Sequence, residues 1–89
     1  MERHDGLIAR VYVTPKHGIL DPQGKAVQHS LHALGFGEVR DVTVGKYIEV
    51  RLRDADRGAA ERRVREMCER LLANGVIEDF RFDLSEDGR

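Results

Sequence analysis

The stretch "GILDPQGKAV", residues 18–27, carries a clear signal for the start of a helix. Asp21 is a suitable N-cap, because its carboxylate can accept hydrogen bonds from the amides of the first turn. Pro22 suits the first helical position, where it has no N–H to lose. Gly24 is unexpected, because glycine in a helix is about 0.5–1 kcal/mol less favourable than alanine. We therefore expect another part of a chain to approach the backbone closely at Gly24.

The spacing of apolar residues extends this start into a helix and places a strand before it. In residues 7–14, Leu7, Ala9, Val11 and Val13 would lie on one face of an extended chain and the residues between them on the other. This alternation predicts a β-strand that ends before Pro15. A helix is predicted over residues 22–34, with Gly35 as its left-handed cap. Its apolar positions are Val27, Leu31 and Leu34.

The second half of the sequence predicts two more strands, a helix and a final strand. Residues 38–44 and 47–53 alternate, and Gly45 with Lys46 fits the type II′ turn of a tight hairpin. Asp54 or Asp56 then begins a second helix, which Asn74 and Gly75 close. The apolar residues of this second helix recur at helical spacing. The last strand, residues 76–84, has three apolar residues on one face. These positions are Ala60, Val64, Met67 and Leu71 in the helix and Phe80, Phe82 and Leu84 in the strand.

The predicted order is β-α-β-β-α-β, which indicates an α+β fold in one domain over residues 1–89. The economical arrangement has two layers, a four-stranded antiparallel sheet with both helices on one face. Residues 1–6 and 85–89 are predicted to be polar tails.

The second face of this sheet would carry an apolar patch that a small monomer rarely leaves exposed. We therefore predict that the chain forms oligomers through the sheet. The alternative is a bulge in residues 38–44 that turns two of these side chains inward. The candidate interface residues are Ile8, Tyr12, Val42, Val44 and Tyr47.

Composition limits the classes of partner. The 89 residues contain 15 Lys and Arg against 16 Asp and Glu, a formal net charge of -1, which argues against a general nucleic-acid binder. The single cysteine excludes an internal disulfide, and the apolar runs are too short for a membrane span. We expect a cytoplasmic location, with neither a nucleic-acid nor a membrane partner.

Residues that could carry catalysis are few. His29 and His32 lie three apart on the first helix, but no further metal ligands stand at recognisable spacing. Cys68 follows core residues and suits a buried structural thiol. His17 lies in a loop and could meet a partner or have no role. We assign no catalytic, cofactor-binding or metal-binding residue to this chain.

Residues 11–50 closely resemble PurS, the small-subunit family of phosphoribosylformylglycinamidine (FGAM) synthase. The resemblance is carried by "GILDPQG", "AVQHSLHALGF" and "VGKYIE", in the order and spacing of that family. It implies a non-catalytic subunit of a glutamine-dependent, ATP-consuming C–N ligase in purine biosynthesis. It also implies that this chain bridges a PurQ-type glutaminase and a PurL-type synthetase for ammonia transfer.

The same resemblance implies that the assembled enzyme uses ATP, Mg²⁺ and glutamine, with no cofactor on this chain, and that the subunit is a homodimer or tetramer. Two loops carry the most family-like motifs, and we take them as candidate contacts for the large chains. These candidates are Lys16, His17, Gly18, Asp21, Gly24, Gly45 and Lys46. For Gly24 the alternative is that the helix packs there against its own sheet.

Two other classes of function suit the same order of elements. Single-stranded RNA binders stack bases on aromatic residues of the two central strands, and Tyr12 and Tyr47 could provide such a platform. Glu49 beside Tyr47 would, however, repel a phosphate. A regulatory domain that senses a small molecule is the other alternative, and it often dimerises through its sheet.

Overall fold

The computed structural model describes residues 6–53 and 56–87, which form three strands and two helices. The strands form one antiparallel sheet in the order β2-β1-β3, so β1 is central. The predicted α+β class and both helices are confirmed, but the sheet has three strands where four were predicted. In chain order the elements are β1 (Leu7–Pro15), α1 (Pro22–Ala33), β2 (Lys46–Leu52), α2 (Arg57–Met67, continued by a π-helical turn, Cys68–Leu72) and β3 (Glu78–Glu86).

The strand predicted at residues 38–44 is wrong, and so is the hairpin. β2 pairs with β1 instead, placing Tyr47 opposite Tyr12 and Lys46 opposite Val13. Gly45 does not form a type II′ turn. It lies against the end of β1, where a Cβ atom would overlap the Val13 carbonyl oxygen.

Side chains of α1 explain why residues 38–44 form no strand. The Gln28 amide donates to the Arg40 carbonyl at 3.4 Å, and His32 Nε2 lies 2.7 Å from the Val39 carbonyl. Backbone groups that a neighbouring strand would use are therefore bound to the helix. Val39, Val42 and Val44 of this segment are half-buried. Apolar residues at this spacing suit a segment that packs along a helix as well as a strand in a sheet.

The hydrophobic core lies between α2 and the inner face of the sheet. Val11, Val13 and Val64 are essentially inaccessible to solvent, as is Cys68. The predicted inner-face residues of β3 are confirmed as members of this core. Partly buried side chains surround it: Ile48, Val50, Leu52, Met67, Leu72, Phe80, Phe82 and Leu84.

Leu71 was predicted to face the core, and this is wrong: its side chain is 81% exposed. The reason is the π-helical turn, in which the Ala73 amide donates to the Cys68 carbonyl five residues earlier, at 3.0 Å. The wider turn rotates Leu71 away from the sheet. At the end of the turn, Leu72 and Ala73 face the core instead.

Residues 16–45 form an arm that lies outside this core. Within the described residues, no member of the core cluster comes from the arm. The radius of gyration is 17.1 Å and the longest dimension is 52 Å, whereas a compact chain of this length would have a radius of about 12 Å. The prediction of two helices against one face of the sheet is therefore wrong for the single chain, because only α2 lies there.

The chain ends also differ from the prediction. Ser85 and Glu86 belong to β3, where they pair with Ile8 and Leu7, so the C-terminal tail begins later than predicted. Asp56 caps α2, accepting a hydrogen bond from the Ala59 amide at 3.3 Å. Residues 1–5 and 88–89, and the alternative cap Asp54, lie outside the described residues.

Replacing Val64 by alanine should lower the free energy of unfolding by about 2–3 kcal/mol, because two buried methyl groups are lost and a cavity remains. Leu71→Ala is the matched control on the same helix and should change stability by no more than about 0.5 kcal/mol. Urea unfolding followed by circular dichroism measures both. Equal losses would contradict the placement of the π-helical turn.

Candidate functional site

Asp21 joins the beginning of α1 to the end of the arm. One carboxylate oxygen accepts from the Gly24 amide at 3.0 Å, and the other accepts from the Val44 amide at 3.0 Å. The predicted N-cap is confirmed. The second bond could not be predicted from sequence, because Val44 lies 23 residues further along the chain.

Gly24 is the buried residue of α1, and the chain itself approaches it. A Cβ atom at this position would overlap the Val42 carbonyl oxygen and lie 2.5 Å from Asp21 Oδ2. The close approach expected from the sequence therefore comes from residues 42–44 of the same chain. This contact accounts for the glycine without a partner.

Gly24→Ala should destabilise the arm, although alanine ordinarily favours a helix by about 0.5–1 kcal/mol. Gly37→Ala is the matched control, because nothing lies within 4 Å of its Cβ position and its φ is not positive. Hydrogen exchange of the α1 amides should become faster in the first variant and stay unchanged in the second. Slower exchange in Gly24→Ala would show that residues 42–44 do not pack on the helix.

The seven candidate contacts for the large chains fall into two neighbouring cavities and the interior of the arm. Lys16, His17, Gly18 and Asp21 line a cavity of about 330 Å³ between the two ends of the arm. Gly45 and Lys46 line a second cavity, of about 390 Å³, on the outer side of the sheet. The structure does not bring all seven together, since Gly24 is buried under the arm's own backbone.

An ion pair connects the edges of these two cavities. Lys16 Nζ lies 2.7 Å from Asp79 Oδ1, and the Lys16 amide donates to the Ile77 carbonyl at 2.8 Å. Lys46 Nζ lies 3.8 Å from Glu78 Oε2 on the same strand. The base of the arm is thus attached to β3 at both ends, and it carries exposed charge.

The outer face of the sheet, which points away from α2, carries aromatic and charged side chains rather than a purely apolar patch. The Tyr12 and Tyr47 rings are 5.3 Å apart, and the Arg81 guanidinium lies 4.0 Å from the Tyr12 ring centroid. The Tyr47 hydroxyl donates to Glu49 at 2.8 Å, and this bond to a carboxylate raises the pKa of Tyr47.

The five candidate oligomer residues do not form one surface. Tyr12 and Tyr47 lie on the outer face, but Ile8 is only 3% exposed beneath it. Val42 and Val44 belong to the arm, because residues 38–44 do not join the sheet. Val42 and Val44 therefore do not lie on the outer face of the sheet beside the tyrosines, and a role of the five residues in oligomer contacts stays a prediction.

The aromatic pair also fits poorly with the RNA-binding alternative. Arg81 already occupies a face of the Tyr12 ring, and the Glu49 carboxylate holds the Tyr47 hydroxyl. A base would have to displace the guanidinium in order to stack there, and its phosphates would meet the carboxylate.

The residues considered for catalysis have structural contacts or are isolated. His32 is bound to the Val39 carbonyl, and the described residues contain no group of three or more His, Cys, Asp or Glu placed to hold a metal ion. Cys68 is completely buried, and this burial raises the pKa of its thiol. Within residues 6–53 and 56–87, no helix has both the length and the apolar character needed to cross a bilayer.

Cys68 should be unreactive toward a thiol reagent at pH 8 in the native protein, because burial keeps the thiol protonated and inaccessible. Denaturation should make one thiol per chain react at the rate of a free cysteine. Absorbance with a chromogenic disulfide measures both states. Rapid reaction without denaturant would contradict the buried position.

Sequence reasoning missed a group of exposed apolar side chains on α1, because it predicted that both helices pack on the sheet. In the structure Val27 is 41% exposed and Leu34 is 73% exposed. We call these two residues, with the half-buried Leu31 beside them, the α1 stripe. Further exposed apolar residues on the arm are Ile19, Leu20 and Phe36.

Comparisons with known proteins identify the family. A family model described as PurS, phosphoribosylformylglycinamidine (FGAM) synthase, matches residues 8–86. The PurS subunit of FGAM synthase from Bacillus subtilis (strain 168) is 52% identical over 77 residues, 86% of this chain and 90% of the relative. The structure of Thermus thermophilus PurS is 37% identical, with a TM-score of 0.83, covering 92% of this chain and 98% of that one.

A chain in the structure of PurLQS from Thermotoga maritima has the same fold, with 24% identity, a TM-score of 0.74, and coverage of 91% of this chain and 98% of that one. The family match runs from β1 to the end of β3 and agrees with the motifs found in residues 11–50. This chain therefore belongs to the PurS family, a family of FGAM synthase subunits.

Proposed function

We propose that this chain is the non-catalytic small subunit of an FGAM synthase complex. It bridges a PurQ-type glutaminase and a PurL-type synthetase, so that ammonia released from glutamine reaches the synthetase. The observation that carries the proposal is the family match over residues 8–86. The occurrence of a chain with this fold in Thermotoga maritima PurLQS supports a three-component assembly.

The contribution of such a subunit is positional. Holding two active sites in a fixed arrangement replaces diffusion of a reactant through water by delivery at high effective concentration. The polar residues of the arm fit this role, because Asp21 and His32 hold the arm together. ATP, Mg²⁺ and glutamine belong to the large chains in this proposal, and we assign none of them to residues of this chain.

The base of the arm is the surface that we propose for contact with the large chains. Its two cavities lie side by side at one end of the sheet, and both have charged rims that include Lys16 and Lys46. The attachment of this region to β3 through the ion pair of Lys16 with Asp79 gives it a defined orientation. Charged rims of this kind favour orientation and rate of association more than affinity.

We also propose that the chain self-associates. The support is that several large apolar side chains are exposed together on the arm, namely Ile19, Leu20, Val27, Leu34 and Phe36. The cytoplasmic location remains a prediction.

The test is reconstitution of the three-component enzyme with and without this chain. Omitting the chain should remove most glutamine-dependent synthesis but spare a larger share of ammonia-dependent synthesis, because dissolved ammonia partly replaces directed delivery. Product formation is measured with each nitrogen donor. Equal losses with both donors would contradict a purely positional role.

Lys46→Glu should lower glutamine-dependent synthesis by up to about fivefold at limiting subunit concentration, as for loss of an exposed charge pair worth about 1 kcal/mol. Arg63→Glu is the matched control, because this exposed residue of α2 lines neither cavity. Thermal unfolding checks that both variants stay folded. A further variant, His29→Ala, should assemble and turn over normally, because His29 is exposed on α1 and lines neither cavity. If it assembles and loses all turnover, the chain carries chemistry.

A further inference from the structure

We propose that the π-helical turn at the end of α2, with the groove beside it, is the apolar anchor through which this subunit binds a large chain of the complex. This inference rests on the proposed bridging role and adds the surface that supplies affinity. The groove has a volume of about 470 Å³ and lies between the π-helical turn and the beginning of β3. Its apolar lining consists of Cys68, Ala73 and Phe80.

The π-helical turn exposes an apolar side chain that a regular helix would bury. The helical spacing of Ala60, Val64 and Met67 continues to Leu71, yet the side chain of this leucine is 81% exposed. Helices rarely widen in this way, and such turns are frequent at functional sites. An exposed leucine adds no burial to the core of its own chain. The position of Leu71 therefore favours contact with another protein.

The loop after the turn holds a second apolar side chain in a fixed position beside the groove, which Gly75 lines. The Val76 amide donates to the Asn74 side-chain oxygen at 3.0 Å, and the Glu78 amide donates to the Asn74 carbonyl at 2.7 Å. The Asn74 amide in turn donates to Glu78 Oε1 at 2.7 Å. These bonds order the loop while the Val76 side chain stays 81% exposed. A preordered loop loses little conformational entropy on binding.

The groove is continuous with the base of the arm, the surface already proposed for the large chains. Lys16 lines both the groove and the cavity between the two ends of the arm. Asp79, its ion-pair partner, lines both the groove and the cavity on the outer side of the sheet. Charged rims direct orientation and rate, whereas affinity comes mostly from a few residues packed in desolvated pockets. The groove therefore supplies an anchor directly beside the charged base.

Charge at the rim indicates the chemistry of the partner. Glu69 lines the groove, and no residue in the described part of the chain forms an ion pair with it. The other charged residues of the rim each have an ion-pair partner, as Arg65 has in Glu61 at 3.3 Å. The complementary segment of the large chain inserts an apolar side chain and carries a lysine or arginine next to it.

Truncation of the exposed leucine tests the anchor. Leu71→Ala should raise the dissociation constant for a large chain at least about fivefold, because an apolar side chain is no longer buried at the contact. Arg63→Ala is the matched control on the same helix, because this exposed residue lines none of the three cavities. Titration calorimetry with the PurL-type synthetase, the PurQ-type glutaminase and their mixture measures both variants, and urea unfolding checks that both are folded.

The outcomes separate this proposal from the bridging role. Unchanged affinity of Leu71→Ala for every large chain would overturn the anchor alone, provided that omitting the subunit still removes glutamine-dependent synthesis. Weaker self-association of Leu71→Ala, with no effect on the large chains, would also overturn it, because a second copy would then occupy the groove. Failure of the unmodified chain to bind any large chain would overturn this proposal and the bridging role together.

Reversal of the free carboxylate tests the charge of the partner. Glu69→Lys should slow association with the large chain about fivefold at low salt, and high salt should remove most of the difference. Glu38→Lys is the control, because this exposed residue of the arm lines none of the three cavities. Stopped-flow fluorescence measures the association rates. Equal rates for the two variants at low salt would overturn the cationic partner.

A labelling experiment keeps Leu71 in place. Gly75→Cys fits the fold, because nothing lies within 4 Å of its Cβ position and its φ is not positive. An alkylating reagent should label this thiol readily in the free chain, and saturating large chains should slow the labelling at least about tenfold, in proportion to the bound fraction. Arg63→Cys should be labelled equally fast in both states. Mass spectrometry of this chain measures both, and an unprotected Gly75→Cys thiol within the assembled complex would overturn the proposal.

Discussion

The carboxylate of Asp21 is the interaction on which the arm depends. Its two oxygens bind the Gly24 amide and the Val44 amide at once, so one side chain both begins α1 and fixes the segment that returns along it. Gly24 makes this possible, because its missing Cβ leaves room for the Val42 carbonyl. The returning segment then ends at Gly45, which lies against Val13 and Thr14 near the end of β1. This position sets Lys46 opposite Val13 and with it the register of β2.

Features fixed by local chemistry could be predicted from the sequence. The start of α1 at Asp21 and Pro22, the strand before it and the inner face of β3 depend on neighbouring residues, and these predictions are confirmed. Residues 38–44 were predicted wrongly because alternating valines suit a sheet or a helix surface equally. Whether the segment joins the sheet or packs on the helix depends on its contacts with His32 and Gln28. These contacts form only in the folded chain, so the local sequence pattern does not reveal them.

Leu71 shows a second limit of periodicity. The spacing from Ala60 through Val64 and Met67 is helical, and it gives no sign that the chain widens into a π-helical turn at Cys68. A shift of one residue within the turn is enough to turn Leu71 outward and to place Leu72 and Ala73 against the core instead. The candidate site was predictable only in part for a related reason. Residues of one motif share a loop, but Lys16 and Lys46 come to border neighbouring cavities through pairing with β3.

The motif that carries the family resemblance is also the motif that builds the arm. "GILDPQG" contains the cap, the first helical residue and the glycine that the returning backbone requires, so its residues are explained by packing within one chain. Its relevance to function is then indirect. A correctly formed arm presents the α1 stripe on one side and the charged base on the other, and these two surfaces suit two different kinds of contact.

The core is built from small side chains, so contacts made by the arm matter for the stability of the protein. Among the described residues, the largest fully buried side chains are Val11, Val13, Val64 and Cys68. None of these is an aromatic residue or a leucine. Leu7, at the margin of the core, is 2% exposed. A chain of this size buries a low fraction of its surface even when compact, and here a third of it extends from the core. In the self-association that we propose, a second copy would cover apolar side chains of α1 that the single chain leaves exposed. Folding of the arm and association are then one equilibrium, and stability rises with the concentration of the chain. A subunit that is completed by its own copy presents two arm bases in a fixed relation, which is the geometry that a bridge between larger chains requires.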